Sequence, residues 1–198
     1  MAGRALIVVD VQKDFCEGGK VPVPGGAEQA RAIRDFVKQQ AGDGYVRVVA
    51  TRDHHIDPGD HFSDDPDFEN SFPEHCLAGS DGAEFHPDFE PVVTSGAVDE
   101  VFFKGAHSAS KSGFEGLTAG GEALGDWLRA QGVDTVDVVG LTTDHCVKAT
   151  ALGGVRDGFG VRVLLDHTTG VAHDSTARAL DEMRLAGVEL TGTPVVQA

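Results

Sequence analysis

The run Gly140-Leu141-Thr142-Thr143-Asp144-His145-Cys146 carries a thiol from the end of an apolar stretch into the start of a helical pattern. A cysteine at a helix N-terminus feels the positive end of the macrodipole and lies near unpaired N–H groups. Both favour the nucleophilic thiolate. The same N–H groups could stabilise the oxyanion of a tetrahedral intermediate. Against this stands the ordinary fate of a free cysteine, which is to fill space in a core. Two further residues shift the balance. Asp10 follows Leu6-Ile7-Val8-Val9, and Lys104 follows Val101-Phe102-Phe103. A carboxylate can take the thiol proton and an ammonium can stabilise the resulting anion. The chemistry these three suit is attack of an activated sulfur on an electrophilic carbonyl carbon.

A second group is rich in imidazoles. Asp53-His54-His55 follows another apolar run, with His61 soon after and His75 further on. In extended chain Asp53 and His55 point to one side and His54 to the other. With His61 and His75 they would make a set of three imidazoles and one carboxylate, which suits one divalent ion of zinc, iron or manganese. The competing explanation is chance clustering on an acidic surface, since the chain has nine histidines. His86, before Pro87, is read as structural.

The elements that must position these residues are short. Apolar runs at Ala5–Val9, Val46–Thr51, Val98–Phe103, Thr135–Val139 and Val161–Leu165 read as strands, with a weaker sixth at Val188–Thr191. Several are continuous rather than alternating, as expected when helices cover both faces of a parallel sheet. Helical patterns fall at Gly26–Gln40, Gly121–Gln131, His145–Asp157 and Asp174–Ala186. The alternation predicts an α/β fold: a three-layer α/β/α arrangement with a central, mostly parallel six-stranded sheet. Residues 1–198 read as one domain. In such a sheet Asp10, Asp53 and Lys104 at strand ends and Cys146 just past one converge on the carboxyl edge, where open α/β sheets bind ligands. The stretch from about Asp53 to Ala97 has no clear period. Disorder is one explanation; its five phenylalanines (Phe62, Phe68, Phe72, Phe85 and Phe89) argue instead for an ordered loop stapled by a metal.

Composition narrows the function class. The net charge of −16, from 32 acidic and 16 basic residues, repels phosphate backbones and anionic lipid, so neither nucleic acid nor membrane is an expected partner. No apolar run approaches the ~18 residues of a membrane span. The opening Met1–Ala5 lacks the marks of a signal peptide, which predicts a cytoplasmic protein. Three widely spaced cysteines (Cys16, Cys76, Cys146) do not suggest a disulfide framework.

With these residues in place, the chain resembles the nicotinamidase/pyrazinamidase family of isochorismatase-like cysteine hydrolases. The resemblance covers nearly the whole chain. It rests on Ala5–Gly19 (ALIVVDVQKDFCEGG), Thr51–Phe62 (TRDHHIDPGDHF), Phe72–Cys76 (FPEHC), Phe103–Gly105, Ser112–Gly116 and Val138–Val147 (VVGLTTDHCV). It implies that Asp10, Lys104 and Cys146 form a catalytic triad and that Asp53, His55, His61 and His75 hold the metal. It also implies a cis peptide at Leu141–Thr142, with the N–H groups of Thr142 and Cys146 as oxyanion hole. Phe15, Val21 and Phe72 match positions that wall a pyridine pocket, and Leu141 and His145 adjoin them. The implied substrate is a pyridine carboxamide, hydrolysed through a thioester in NAD salvage by a monomer or homo-oligomer. The chain departs from the pattern at Phe72, where many relatives carry Trp, and at His107 and Lys111, which fall where aromatic side chains are usual. Phe72 predicts a pocket that still stacks a ring but is looser, and the three departures together bear on substrate preference rather than on the chemistry.

Two other readings compete. Isochorismatases and carbamoyl amidohydrolases of the same superfamily generally lack the set His55, His61 and His75. A metal-binding scaffold would have no use for Asp10, Lys104 and Cys146 together.

Overall fold

The structure, a computed structural model, describes residues 3–40 and 44–197. Met1 and Ala2, part of the opening segment considered above, lie outside the described residues, as does Ala198. Six strands form one sheet: β1 (Gly3–Val9), β2 (Arg47–Asp53), β3 (Glu100–Lys104), β4 (Val133–Leu141), β5 (Gly160–Thr169) and β6 (Glu189–Thr191). Their order is β3-β2-β1-β4-β5-β6. Every neighbouring pair is parallel, so the sheet is wholly parallel rather than mostly so.

Side-chain alternation along β1 divides the core. Ala5, Ile7 and Val9 face one side, where they meet Leu124 and Leu128 of α3 (Leu124–Ala130), Ala151 of α4 (Lys148–Arg156) and Met183 of α5 (His173–Leu185). Leu6 and Val8 face the other side, against Ala30, Ile33 and Val37 of α1 (Gly26–Gln40) and Val92 of α2 (Glu90–Thr94). Each face of the sheet buries its apolar residues under helices, which explains the continuous apolar runs.

Several elements differ from the sequence expectation, the following most of all. β5 runs on to Thr169, through a polar tail that carries no apolar signal. α3 begins at Leu124, three residues later than its pattern suggested. The expected helix from His145 splits into a π-helical turn, Thr143–Val147, followed by α4. The loop after Asp53 is ordered by 3-10 turns at Gly59–His61 and Asp81–Ala83 and by α2. Of its phenylalanines, Phe85 and Phe89 are buried, whereas Phe68 is 60% exposed.

Candidate active site

The chain order reverses between β1 and β4, and such a switch point opens a crevice at the carboxyl edge of a parallel sheet. Register then brings the charged residues together. Asp53 of β2 lies beside Lys104 of β3, and Lys104 Nζ donates to Asp53 Oδ1. The same ammonium is 2.8 Å from Asp10 Oδ2 and 3.9 Å from Cys146 Sγ. Carboxylate oxygens of Asp10 and Asp53 and the thiol sulfur all lie within 4.8 Å of one another. Asp10 sits just past β1 at φ +49°, a left-handed conformation uncommon outside glycine and frequent at functional sites. Its N–H donates to Thr51 O at 3.3 Å, and Thr51 Oγ1 donates to Asp10 Oδ1 at 2.7 Å. Gln12 clamps the neighbouring strand end. Its Oε1 accepts from the Asp53 N–H, and its Nε2 donates to the carbonyls of Asp53 and Ala83.

Burial sets the proton affinities. It raises the Asp10 carboxyl above the usual carboxylate range, outweighing the pull of Lys104, and the nearby Asp53 charge adds to it. Burial alone would also raise Asp53, but Lys104 and His55 overcome it and hold that carboxyl far below the usual range. Lys104, which burial alone would neutralise, is kept charged by Asp10 and Asp53. Burial pushes the Cys146 thiol well above its ordinary value, and the attraction of Lys104 does not offset this. Desolvation thus works against the helix terminus invoked from sequence, and the thiol stands beside an unusually basic carboxylate.

Cys146 lies within the π-helical turn, where Val147 N–H reaches back to Thr142 O at 3.1 Å. The Leu141–Thr142 peptide is cis, as the resemblance implied. Asp144 is buried and accepts hydrogen bonds from Val171 N–H and Ser175 Oγ, which ties the start of α5 to this turn.

The histidines converge as well. His55 Nδ1 faces Gly105 O at 2.7 Å, His61 Nδ1 faces Asn70 O at 3.2 Å and His75 Nδ1 faces Pro73 O at 2.7 Å. Each carbonyl fixes the proton on Nδ1, so each Nε2 presents a lone pair, the arrangement metal-ligating imidazoles adopt. Donor atoms of the three rings lie within 4.8 Å of one another. His55 Nε2 is buried without a hydrogen-bond partner and lies 3.7 Å from Asp53 Oδ2. A lone pair facing a carboxylate oxygen calls for a cation, so this donor set fits a divalent metal ion. Burial lowers the proton affinity of His61, to about 4, and of His75; this keeps both imidazoles in the ligating form. Gly105 permits the packing, because a Cβ there would sit 2.6 Å from His55 Cε1. His54 points away, its ring against Phe103, as the period of two requires.

One cleft connects the groups. Cys146, Thr142, Asp53, His61 and His75 line it, and Phe15, Val21, Phe72, Leu141 and His145 form its walls. All five predicted wall residues are therefore present. Ser110, Lys111 and Val171 also line it; among these only Lys111 had drawn notice in the sequence. His107 is exposed and takes no part in the lining. Cys16 and Cys76 are buried and do not line the cleft, although Cys16 packs behind Leu141 and Phe15 of its wall.

Fold and site together have the build of a parallel α/β hydrolase with a thiol at its centre. Residues 4–194 match the Isochorismatase domain, and the chain belongs to that family. It is 55% identical over 187 residues to the nicotinamidase/pyrazinamidase of Mycobacterium tuberculosis, covering 94% of this chain and 97% of that protein. Among solved structures, the pyrazinamidase of Pyrococcus horikoshii in complex with zinc is 34% identical, with a TM-score of 0.73 and coverage of 96% and 98%. PnC1 from L. infantum in complex with nicotinate is 28% identical, with a TM-score of 0.80 and coverage of 99% and 96%.

Proposed function

We propose that this chain hydrolyses nicotinamide to nicotinate and ammonia in NAD salvage, and accepts pyrazinamide in the same cleft. The observation that carries the reading is one cleft lined by Cys146, by the imidazoles of His61 and His75, and by apolar walls suited to an aromatic ring. The identity with the M. tuberculosis enzyme supports it.

The neutral Cys146 thiol passes its proton to Asp10, whose raised basicity suits it to the task. Lys104 stabilises the sulfur anion as it attacks the carboxamide carbon. The N–H groups of Thr142 and Cys146 receive the developing oxyanion. Asp10 returns the proton to the departing ammonia, leaving a thioester, and then draws a proton from the water that hydrolyses it. His55, His61, His75 and Asp53 would hold the metal ion, zinc, iron or manganese, which supplies a Lewis acid for the pyridine nitrogen. Phe15, Val21, Phe72, Leu141 and His145 flank the ring and hold its amide over the sulfur.

The working unit in this reading is one domain over residues 1–198. The acidic net charge supports a partner that is a small substrate rather than nucleic acid or membrane, in an enzyme read as cytoplasmic. Among the described residues, no helix is long and apolar enough to cross a membrane. Ammonia release from nicotinamide by metal-loaded protein is the test, with Cys146→Ala as control. Release is expected from the wild type alone; none from the wild type sinks the reading, and equal release from both removes Cys146 from its role.

A further inference from the structure

Lys111 is bound to the wall of the cleft in two ways. Its Nζ donates to Glu69 O at 2.6 Å and stands over the Phe72 ring, 5.3 Å from the centroid. Among the described residues it forms no ion pair, although the chain carries 32 acidic residues. Both of its partners belong to one short segment. Asp67 Oδ1 accepts from the N–H groups of Glu69, Asn70 and Ser71 at 2.9, 2.8 and 2.9 Å, which makes Asp67–Ser71 a closed turn. Phe72 follows directly, its N–H donating to His61 O at 2.8 Å. The Phe72 ring meets His61, His75 and His145 at centroid distances of 5.4, 5.9 and 5.7 Å. A shift of this ring would therefore be felt by two imidazoles of the metal cluster and by the neighbour of Cys146.

We propose that Lys111 is a positioning residue: it pins the Asp67–Ser71 turn across the cleft mouth and so fixes Phe72 as the face on which the substrate ring rests. A carbonyl acceptor takes one of the three ammonium donors and the ring face takes the charge, so hydrogen bond and cation–π contact together set the height of the wall. The inference rests on the nicotinamidase reading for its substrate, but not for its geometry.

Lys111→Met keeps the length of the side chain and removes charge and donors. In metal-loaded protein we expect KM for nicotinamide to rise roughly three- to ten-fold while kcat stays within about twofold, the sign of lost ring positioning with intact chemistry. Lys111→Arg should restore most of the affinity, since a guanidinium both donates and stacks. Phe72→Ala should raise KM by itself, and adding Lys111→Met should then raise it no further. The inference is overturned by an unchanged KM in Lys111→Met, by an equal rise in the Phe72→Ala background, or by a fall in kcat accompanied by a lower Tm. A wild type that releases no ammonia sinks the nicotinamidase reading instead. Amide exchange at Glu69–Phe72 then decides: faster exchange in Lys111→Met supports the pin, and unchanged exchange overturns it.

Discussion

Lys104 is 2% exposed and carries the one positive side chain between two buried carboxylates. Removing it strands two like charges away from water. Lys104→Met is therefore expected to cost about 3–5 kcal/mol of stability as well as activity, read from urea unfolding midpoints. Adding Asp53→Asn should recover part of the stability and none of the turnover. The thiols offer a second check. Burial holds Cys16 up at about 12 and Cys76 well above its ordinary value, and both are fully buried, whereas Cys146 opens on the cleft. A small alkylating reagent should label Cys146 alone, because only that thiol is reached from the cleft, as peptide mass mapping would show. Labelling of Cys16 or Cys76 as fast as that of Cys146 would count against the cleft as the route to the thiol. Asp10, Asp53 and Lys104 could be read from sequence because each closes an apolar run, and Cys146 because it opens the helical pattern that follows one. Gln12, Thr51 and Val171 could not, because their roles depend on which distant segments meet there.

The turn Asp67–Ser71 depends on one carboxylate. Backbone N–H donors from Ser71, Glu69 and Asn70 hold Asp67 far below its ordinary value of 3.8. A depressed carboxyl stabilises the folded turn above that ordinary value, and the contribution is lost as pH falls through the folded one. Exchange protection at Glu69, Asn70 and Ser71 should hold at pH 6 and weaken as pH drops below 3.8. In Asp67→Asn it should be low throughout. Equal protection in both proteins at pH 6 would count against the carboxylate. Such turns leave little trace in a sequence. The helix Gly26–Gln40 was readable residue for residue, because fifteen residues carry a 3.6 period. The five-residue α2 and the 3-10 turns are too short to show one. The π-helical turn is a change of hydrogen-bond register, which side-chain pattern does not encode.

A metal held by residues on three parts of the long loop ties together a region that has little regular structure. An ion bound by the folded state alone raises stability by mass action, about 2.7 kcal/mol at one hundred times Kd. Chelation should lower Tm, and His55→Ala should abolish the dependence of Tm on added metal. An unchanged Tm after chelation, with metal loss verified by elemental analysis, would contradict the staple. The parallel topology has a further consequence, which concerns the order in which the molecule can be made. Asp10 and Asp53 lie on adjacent strands, and their common cation arrives 51 residues after Asp53. A nascent chain that closed β1 on β2 early would bury two carboxylates with nothing to neutralise them. β3 follows β2 in the chain, and the nucleophile comes later still, in the turn after β4 on the other side of β1. The charge arrangement that would serve catalysis in the finished protein thus also makes the close pairing of β1 with β2 electrostatically dependent on a strand made later.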